Sequence, residues 1–143
     1  MTHASAGLPG AEHAIDALVA DFFSAFDNRN GNKPDLEFLL GHFTGNAVIA
    51  RSSPAETQIL SAMAFAVPRI DLLTNGTLVD FHEVETSSTT AIFGTVAMRT
   101  SRYRKEGLWE GASYAGAGTK CFQLVALDTG WRILSLAWID DAT

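Results

Sequence analysis

Four ionisable side chains fall inside stretches that otherwise have the composition of buried β-strands: Glu83, Glu85, Arg99 and Lys120. A charge in such a setting is costly unless it is paired or put to use, so these positions are the first place to look for chemistry. Glu83 and Glu85 are two residues apart and share a strand face with Phe81 and Val79. Arg99, Ser101 and Tyr103 share a face of the next strand. Were these faces to meet across a ladder, Glu83 would pair with Arg99 on a cavity wall. The functional reading is an arginine-oriented carboxylate that acts as a general base or binds a polar ligand group, with Tyr103 as hydrogen-bond donor. The structural reading is an ion pair that keeps two strands in register. An arginine partner also lowers a carboxylate's pKa and weakens it as a base. Lys120 alternates with Phe122 and Leu124, which buries at least its stem. It is either an anion-binding ammonium inside the cavity, helped by Arg51, or the partner of Glu83 or Glu85.

Other residues carry less. His82 alternates with Asp80 and Leu78, a placement that more often faces solvent or a partner than supports acid–base work. Four scattered histidines and one cysteine lack ligand spacing, so no metal and no cofactor is expected. Cys121 alternates away from Lys120 and is expected to be a buried, inert thiol. Tyr103 and Trp138 suit core or interface. Gly111 to Gly118 does not lead into a helix and so is no phosphate loop. Arg99, Arg102, Arg104 and Lys105 cluster near a hairpin end, where solvation is expected. Sixteen acids against ten bases, a net charge of −6, argue against nucleic acid as a partner.

The elements that must position these groups are helices followed by a meander. Glu12 to Asn28 carries Ile15, Leu18, Val19, Phe22, Phe23 and Phe26 on one helical stripe. A second, short helix opens at Pro34 and ends near Gly41, and Asn46 to Arg51 is a short strand. Ser53-Pro54-Ala55-Glu56 has the form of a capping box. It predicts a third helix with Ile59, Leu60, Met63 and Val67 inward, kinked or interrupted at Pro68. Four strands follow, over Thr77–Glu85, Ala91–Arg104, Ser113–Leu127 and Trp131–Asp140. Gly116 and Gly118 suggest a bend or bulge in the third, and Asp128-Thr129-Gly130 a tight hairpin. The expectation is an α+β fold in one domain over residues 12–141, behind a flexible tail over 1–11. The chain has no apolar run of the roughly 18 residues that cross a membrane and no secretory leader, so the cytoplasm is expected.

The last strand is apolar on both sides. Strict alternation puts Trp131, Ile133, Ala137 and Ile139 on one face and Leu134, Leu136 and Trp138 on the other. Helices can cover only one face, so the convex face is expected to meet a second copy in a homodimer.

Three helices before a curled sheet resemble the nuclear-transport-factor-2-like superfamily, which also holds SnoaL-like cyclases. The resemblance is carried by Asp80-Phe81-His82-Glu83-Val84-Glu85, Phe93 to Arg99, Ser101-Arg102-Tyr103 and Gly130 to Trp138. It looks most like a bacterial branch without an assigned activity. It implies a cone-shaped barrel, three N-terminal helices on the concave face of the sheet, and a deep cavity between them. Similar ketosteroid isomerases place a tyrosine, an aspartate and a later acid where an approximate match puts Phe22, Arg51 and Lys120. None keeps that chemistry: Phe22 has no hydrogen to donate, and arginine is no base near neutral pH. Similar epoxide hydrolases hold an arginine between two carboxylates, which Glu83, Arg99 and Glu85 could imitate. The expectation is a protein that binds a small organic molecule, of carboxylate type, through Phe22, Arg51, Phe81, Glu83, Arg99, Tyr103 and Lys120. The alternative is a cofactor-free isomerase, dehydratase or cyclase using Glu83 with Arg99 and Tyr103.

Overall fold

The structure, a computed structural model, describes residues 8–142. Residues 1–7, most of the expected tail, lie outside the described residues. The chain runs α1 (Ala11–Ser24), a 3₁₀ turn (Arg29–Gly31), α2 (Leu36–Leu40), β1 (Phe43–Ser52), β2 (Thr57–Ser61), α3 (Ala62–Thr74), β3 (Leu78–Phe93), β4 (Val96–Trp109), β5 (Ala112–Leu127) and β6 (Gly130–Asp140). The six strands form one curled, unclosed sheet in the order β2-β1-β6-β5-β4-β3. All pairs are antiparallel except β1–β6, which is parallel. The architecture is α+β as expected, but the sheet is mixed, and the strand expected at Asn46–Arg51 is joined before α3 by a second strand, β2, that was not expected.

Three elements differ from expectation for identifiable reasons. Ser53 and Glu56 do interact, but as the turn of the β1–β2 hairpin, where the Glu56 N–H reaches Ser53 Oγ at 3.2 Å. The helix starts later, at an N-cap Ser61 whose hydroxyl accepts the Ala64 N–H at 3.1 Å. That shift changes its phase: Phe65, Ala66 and Leu73 are buried, whereas Ile59, Met63 and Val67 are exposed. Pro68 sits inside α3 without ending it, because the lost hydrogen bond falls on its exposed side. α2 is capped by Asp35, which accepts the Phe38 N–H at 2.9 Å, so Pro34 precedes the cap. Finally, the expected strand Ala91–Arg104 spans a real turn. Gly94 adopts φ 60° and makes the β3–β4 hairpin, so the Ser/Thr-rich stretch Thr86–Thr90 continues β3.

α1 lies on the concave face of the sheet against β3 and β6, and α3 against β1, β2 and β3. Phe22, fully buried, packs edge-on to Phe26, Phe43 and Phe122 at ring distances of 5.2, 5.9 and 5.5 Å. Three bulges re-aim strands, at Asp80 and Thr86 of β3 and at Leu134 of β6. Asp80, at φ 50°, is the extra residue that lets Leu78 and Phe81 both point inward. Leu134 is the extra residue of β6, because Ile133 pairs with Leu124 and Ser135 with Gln123. Trp131, Ile133, Leu136 and Trp138 are therefore all buried on one face. The two-sided apolar pattern of β6 is thus mostly a bulge. The convex face still exposes Val48, Phe93, Val96, Met98, Leu134 and Ile139. Cys121 is exposed there rather than buried.

Asn28 fastens the junction of α3, β3 and the segment after α1. Its Nδ2 donates to the Leu73 and Leu78 carbonyls at 2.9 and 2.7 Å, and its Oδ1 accepts the Phe81 N–H at 2.8 Å. One side chain thus ties α1 to the end of α3 and to the β3 bulge. Asn28→Ala removes three hydrogen bonds and is expected to cost about 3 kcal/mol in urea unfolding. A loss below about 1 kcal/mol would mean that the sheet alone holds the bulge.

Candidate functional site

Two polar clusters sit on the concave face. In the first, Arg99 is nearly fully buried. Its Nη1 lies 2.6 Å from Asp16 on α1, and its Nη2 lies 2.6 Å from Glu85. Ser101 Oγ donates to Glu85 at 2.5 Å. Burial acts to lower the guanidinium's pKa, but Glu85 and Asp16 outweigh it and raise it above the arginine norm. The expected Glu83–Arg99 pair does not form. Register explains this: Arg99 stands opposite Thr90, Glu85 opposite Tyr103 and Glu83 opposite Lys105. This cluster fastens α1 to the sheet.

The second cluster lines a cavity. Lys120 Nζ lies 3.1 Å from Glu83 Oε2, with the two side chains 7% and 10% exposed. The ammonium also lies over the rings of Tyr103, Trp138 and Phe23, at 4.2, 5.0 and 5.9 Å. Burial lowers the Lys120 pKa, and Glu83 offsets this only in part. The Glu83–Lys120 contact is charge against charge without good hydrogen-bond geometry, since buried Oε2 has no hydrogen-bond partner among the described residues. The neighbouring Tyr103 donates to Asp140, and Lys105 Nζ lies 3.2 Å from the same carboxylate. Burial and Asp140 push the Tyr103 phenol above the usual tyrosine value.

Gly116 and Gly118 do not bend β5. They make room instead: a Cβ on Gly118 would collide with Tyr103 Oη and the Ile139 carbonyl, and one on Gly116 would crowd Lys105 Cε at 3.2 Å. Both β4 side chains cross over these glycines towards β6.

The cavity has two chambers. The inner one, about 50 Å³, is walled by Phe26, Phe65, Leu73, Leu78 and Phe81, with Glu83 and Lys120 also lining it. The outer one, about 450 Å³, adds Arg51 and Asp140. Arg69, Leu72, Lys105, Trp109, Tyr114 and Trp138 line both. Arg69 stacks on Phe65 and Trp138 at 5.0 and 5.2 Å and has no carboxylate within ion-pair distance among the described residues. Burial lowers its pKa.

Of the residues singled out in the sequence, Phe81, Glu83 and Lys120 line the inner chamber and Arg51 the outer. Tyr103 lies beneath Lys120, Arg99 belongs to the other cluster, and Phe22 is in the aromatic core. His82 faces Glu106 at 3.4 Å, not Asp80, because of the bulge. Arg69, Lys105, Trp109, Tyr114 and Asp140 were missed. Phe65 and Arg69 stand four apart, which marks one helix face. The misphased α3 hid that signal, and the assignment of Lys105 to a solvated hairpin end hid the other.

No family model matches the chain, and no curated protein matches it. Solved structures do. A Salmonella enterica protein of the nuclear transport factor 2-like superfamily superimposes with a TM-score of 0.76 at 12% identity, covering 94% of each chain. The chain has the nuclear-transport-factor-2-like fold. A Novosphingobium aromaticivorans protein, provisionally described as an aromatic ring hydroxylase, gives a TM-score of 0.77 at 14% identity, over 95% of this chain and 92% of that one. An Exiguobacterium sibiricum protein, provisionally described as a calcium/calmodulin-dependent kinase II association domain, gives 0.71 at 12%, over 95% and 98%. Proteins described this variously share one fold, which leaves function to be read from the site.

Asp140 offers a test of the cluster. Burial acts to raise its pKa, but the Tyr103 hydrogen bond and the Lys105 and Lys120 charges outweigh that and hold it below the ordinary 3.8. A depressed folded-state pKa gives stability that is complete above 3.8 and is lost as pH falls through the folded value. Asp140→Asn is therefore expected to melt below wild type near neutral pH, with the gap closing in acid. A gap in Tm that stays constant with pH would show that the charge contributes nothing.

Proposed function

We propose that this chain binds a small organic anion, of carboxylate type, in the cavity between α3 and the sheet. One observation carries the reading. The charged groups lining the two chambers are four cations, Arg51, Arg69, Lys105 and Lys120, against two carboxylates, Glu83 and Asp140. This cationic lining stands in a chain of net charge −6. Glu83 neutralises Lys120, and Asp140 takes Lys105, so Arg69 and Arg51 are the two cations left for a ligand. An apolar pocket with a few convergent polar groups is the usual form of a small-molecule site.

A second reading, a cofactor-free acid–base enzyme, is favoured by Glu83, a largely buried carboxylate among the residues lining the inner chamber, with Lys120 Nζ 3.1 Å from its Oε2. In it Glu83 takes or returns the proton, and Lys120, beside it, replaces Arg99 as the orienting cation.

Titration calorimetry with aromatic and aliphatic carboxylates against their neutral amides tests both. Arg69→Met is expected to weaken binding of the acids by about tenfold or more, the worth of a charge-assisted hydrogen bond. Amides that bind as well as acids would sink the anion reading. Deuterium exchange into a bound acid, lost in Glu83→Gln, would mark the enzyme.

We also propose a homodimer through the convex face, on the exposed Val48, Phe93, Val96, Met98, Leu134 and Ile139. Light scattering is expected to give twice the chain mass at micromolar concentration and the chain mass for Met98→Lys. A wild-type monomer rules the dimer out.

A further inference from the structure

The charge on the cavity wall is the same however the cavity is divided. Among the described residues, Arg69, Lys105 and Lys120 line the inner chamber against Glu83, and Arg51, Arg69 and Lys105 line the outer against Asp140. Each chamber thus has three cations against one carboxylate, and the two together have four against two. The excess is two positive charges in every case. Both carboxylates are already taken, Glu83 by Lys120 at 3.1 Å and Asp140 by Lys105 at 3.2 Å. The excess therefore falls on Arg69 and Arg51, neither of which has an ion-pair partner among the described residues. Each also feels the other. Burial lowers the Arg69 pKa, Glu83 raises it, and the Arg51 charge lowers it again. A monoanion answers one of these guanidiniums and leaves the other beside a like charge.

The two come from different walls. Arg69 projects from α3, lines both chambers and stacks on the faces of Phe65 and Trp138 at 5.0 and 5.2 Å. Arg51 projects from β1 and lines the outer chamber but not the inner. Each presents a planar fork that fits one carboxylate through two parallel hydrogen bonds. The outer chamber, at about 450 Å³, is of a size that holds a small organic body between them. Among the described residues the lining holds no glycine, so it lacks the backbone cradle that concentrates two charges on one phosphate group.

We infer that the ligand is a small dicarboxylate, with one carboxylate on Arg69 and the other on Arg51. This rests on the anion-binding reading and adds to it the number of charges and the residue that takes each.

The experiment is titration calorimetry of the full chain at neutral pH with isophthalate, terephthalate, glutarate and adipate. Each is compared with its half-amide, which keeps the shape and drops one charge, and phenyl phosphate is included as a dianion on a single group. At least one diacid is expected to bind about tenfold or more tighter than its half-amide, the worth of a second charge-assisted contact. In Arg51→Met, an exposed site where the fold is expected to survive, that ratio is expected to fall towards one. Circular dichroism checks the folding, and should the variant not fold, the wild-type ratio still decides. Half-amides that match their diacids would overturn the second charge and leave the anion reading standing. So would a ratio unchanged in Arg51→Met, which removes Arg51 as the second cation, or phenyl phosphate binding tighter than every diacid. No binding of any diacid, half-amide or phenyl phosphate at millimolar concentration would overturn the anion reading as well.

Discussion

A lysine ammonium out of water has to be compensated, and much of the concave face is arranged around that need. Lys120 is matched by one carboxylate and by the faces of three aromatic rings. Glu83 reaches it only because the Asp80 bulge and Asn28 fix where β3 enters the sheet. Tyr103 lies beneath it only because Gly118 leaves the space. The compensation is incomplete, since burial still lowers the lysine's pKa. Buried ion pairs of this kind are poor sources of stability beside apolar packing.

The neighbouring Asp16–Arg99–Glu85 cluster contrasts with it. There one guanidinium meets two carboxylates, its pKa rises, and α1 is fastened to the sheet. The two clusters share β3 and β4 and stand two residues apart on β3. One has closed its charges on itself and become structural, while the other leaves cations facing an opening.

Periodicity made the α+β class, the aromatic stripe of α1 and the last two strands legible in the sequence. It failed where a single residue changes the phase. Asp80 and Leu134 each add one residue to a strand, and no composition rule marks an aspartate or a leucine as a bulge. The Ser53–Glu56 pattern was chemically sound, because serine does meet the Glu56 amide, but a turn and a helix start share that local geometry. The candidate pair was wrong in partner for a related reason. A hairpin at Gly94 rather than a break near Thr86 moves the whole β3–β4 register, so Arg99 meets Glu85 and Glu83 is left to Lys120. Lys120 itself was legible, because a cation in a strand of apolar neighbours needs an explanation wherever it points.

The bulge at Leu134 has a further effect. It divides β6 into a first half that buries odd-numbered side chains and a second half that buries even-numbered ones. A strand of uniform alternation can slip by two residues along its partner and still keep its apolar side inward. β6 cannot, because any slip past the bulge sends either Trp131 and Ile133 or Leu136 and Trp138 towards water. The irregular residue therefore acts as an index mark, giving the strand one alignment with β5, the alignment that places Asp140 beside Tyr103 at the mouth of the cavity.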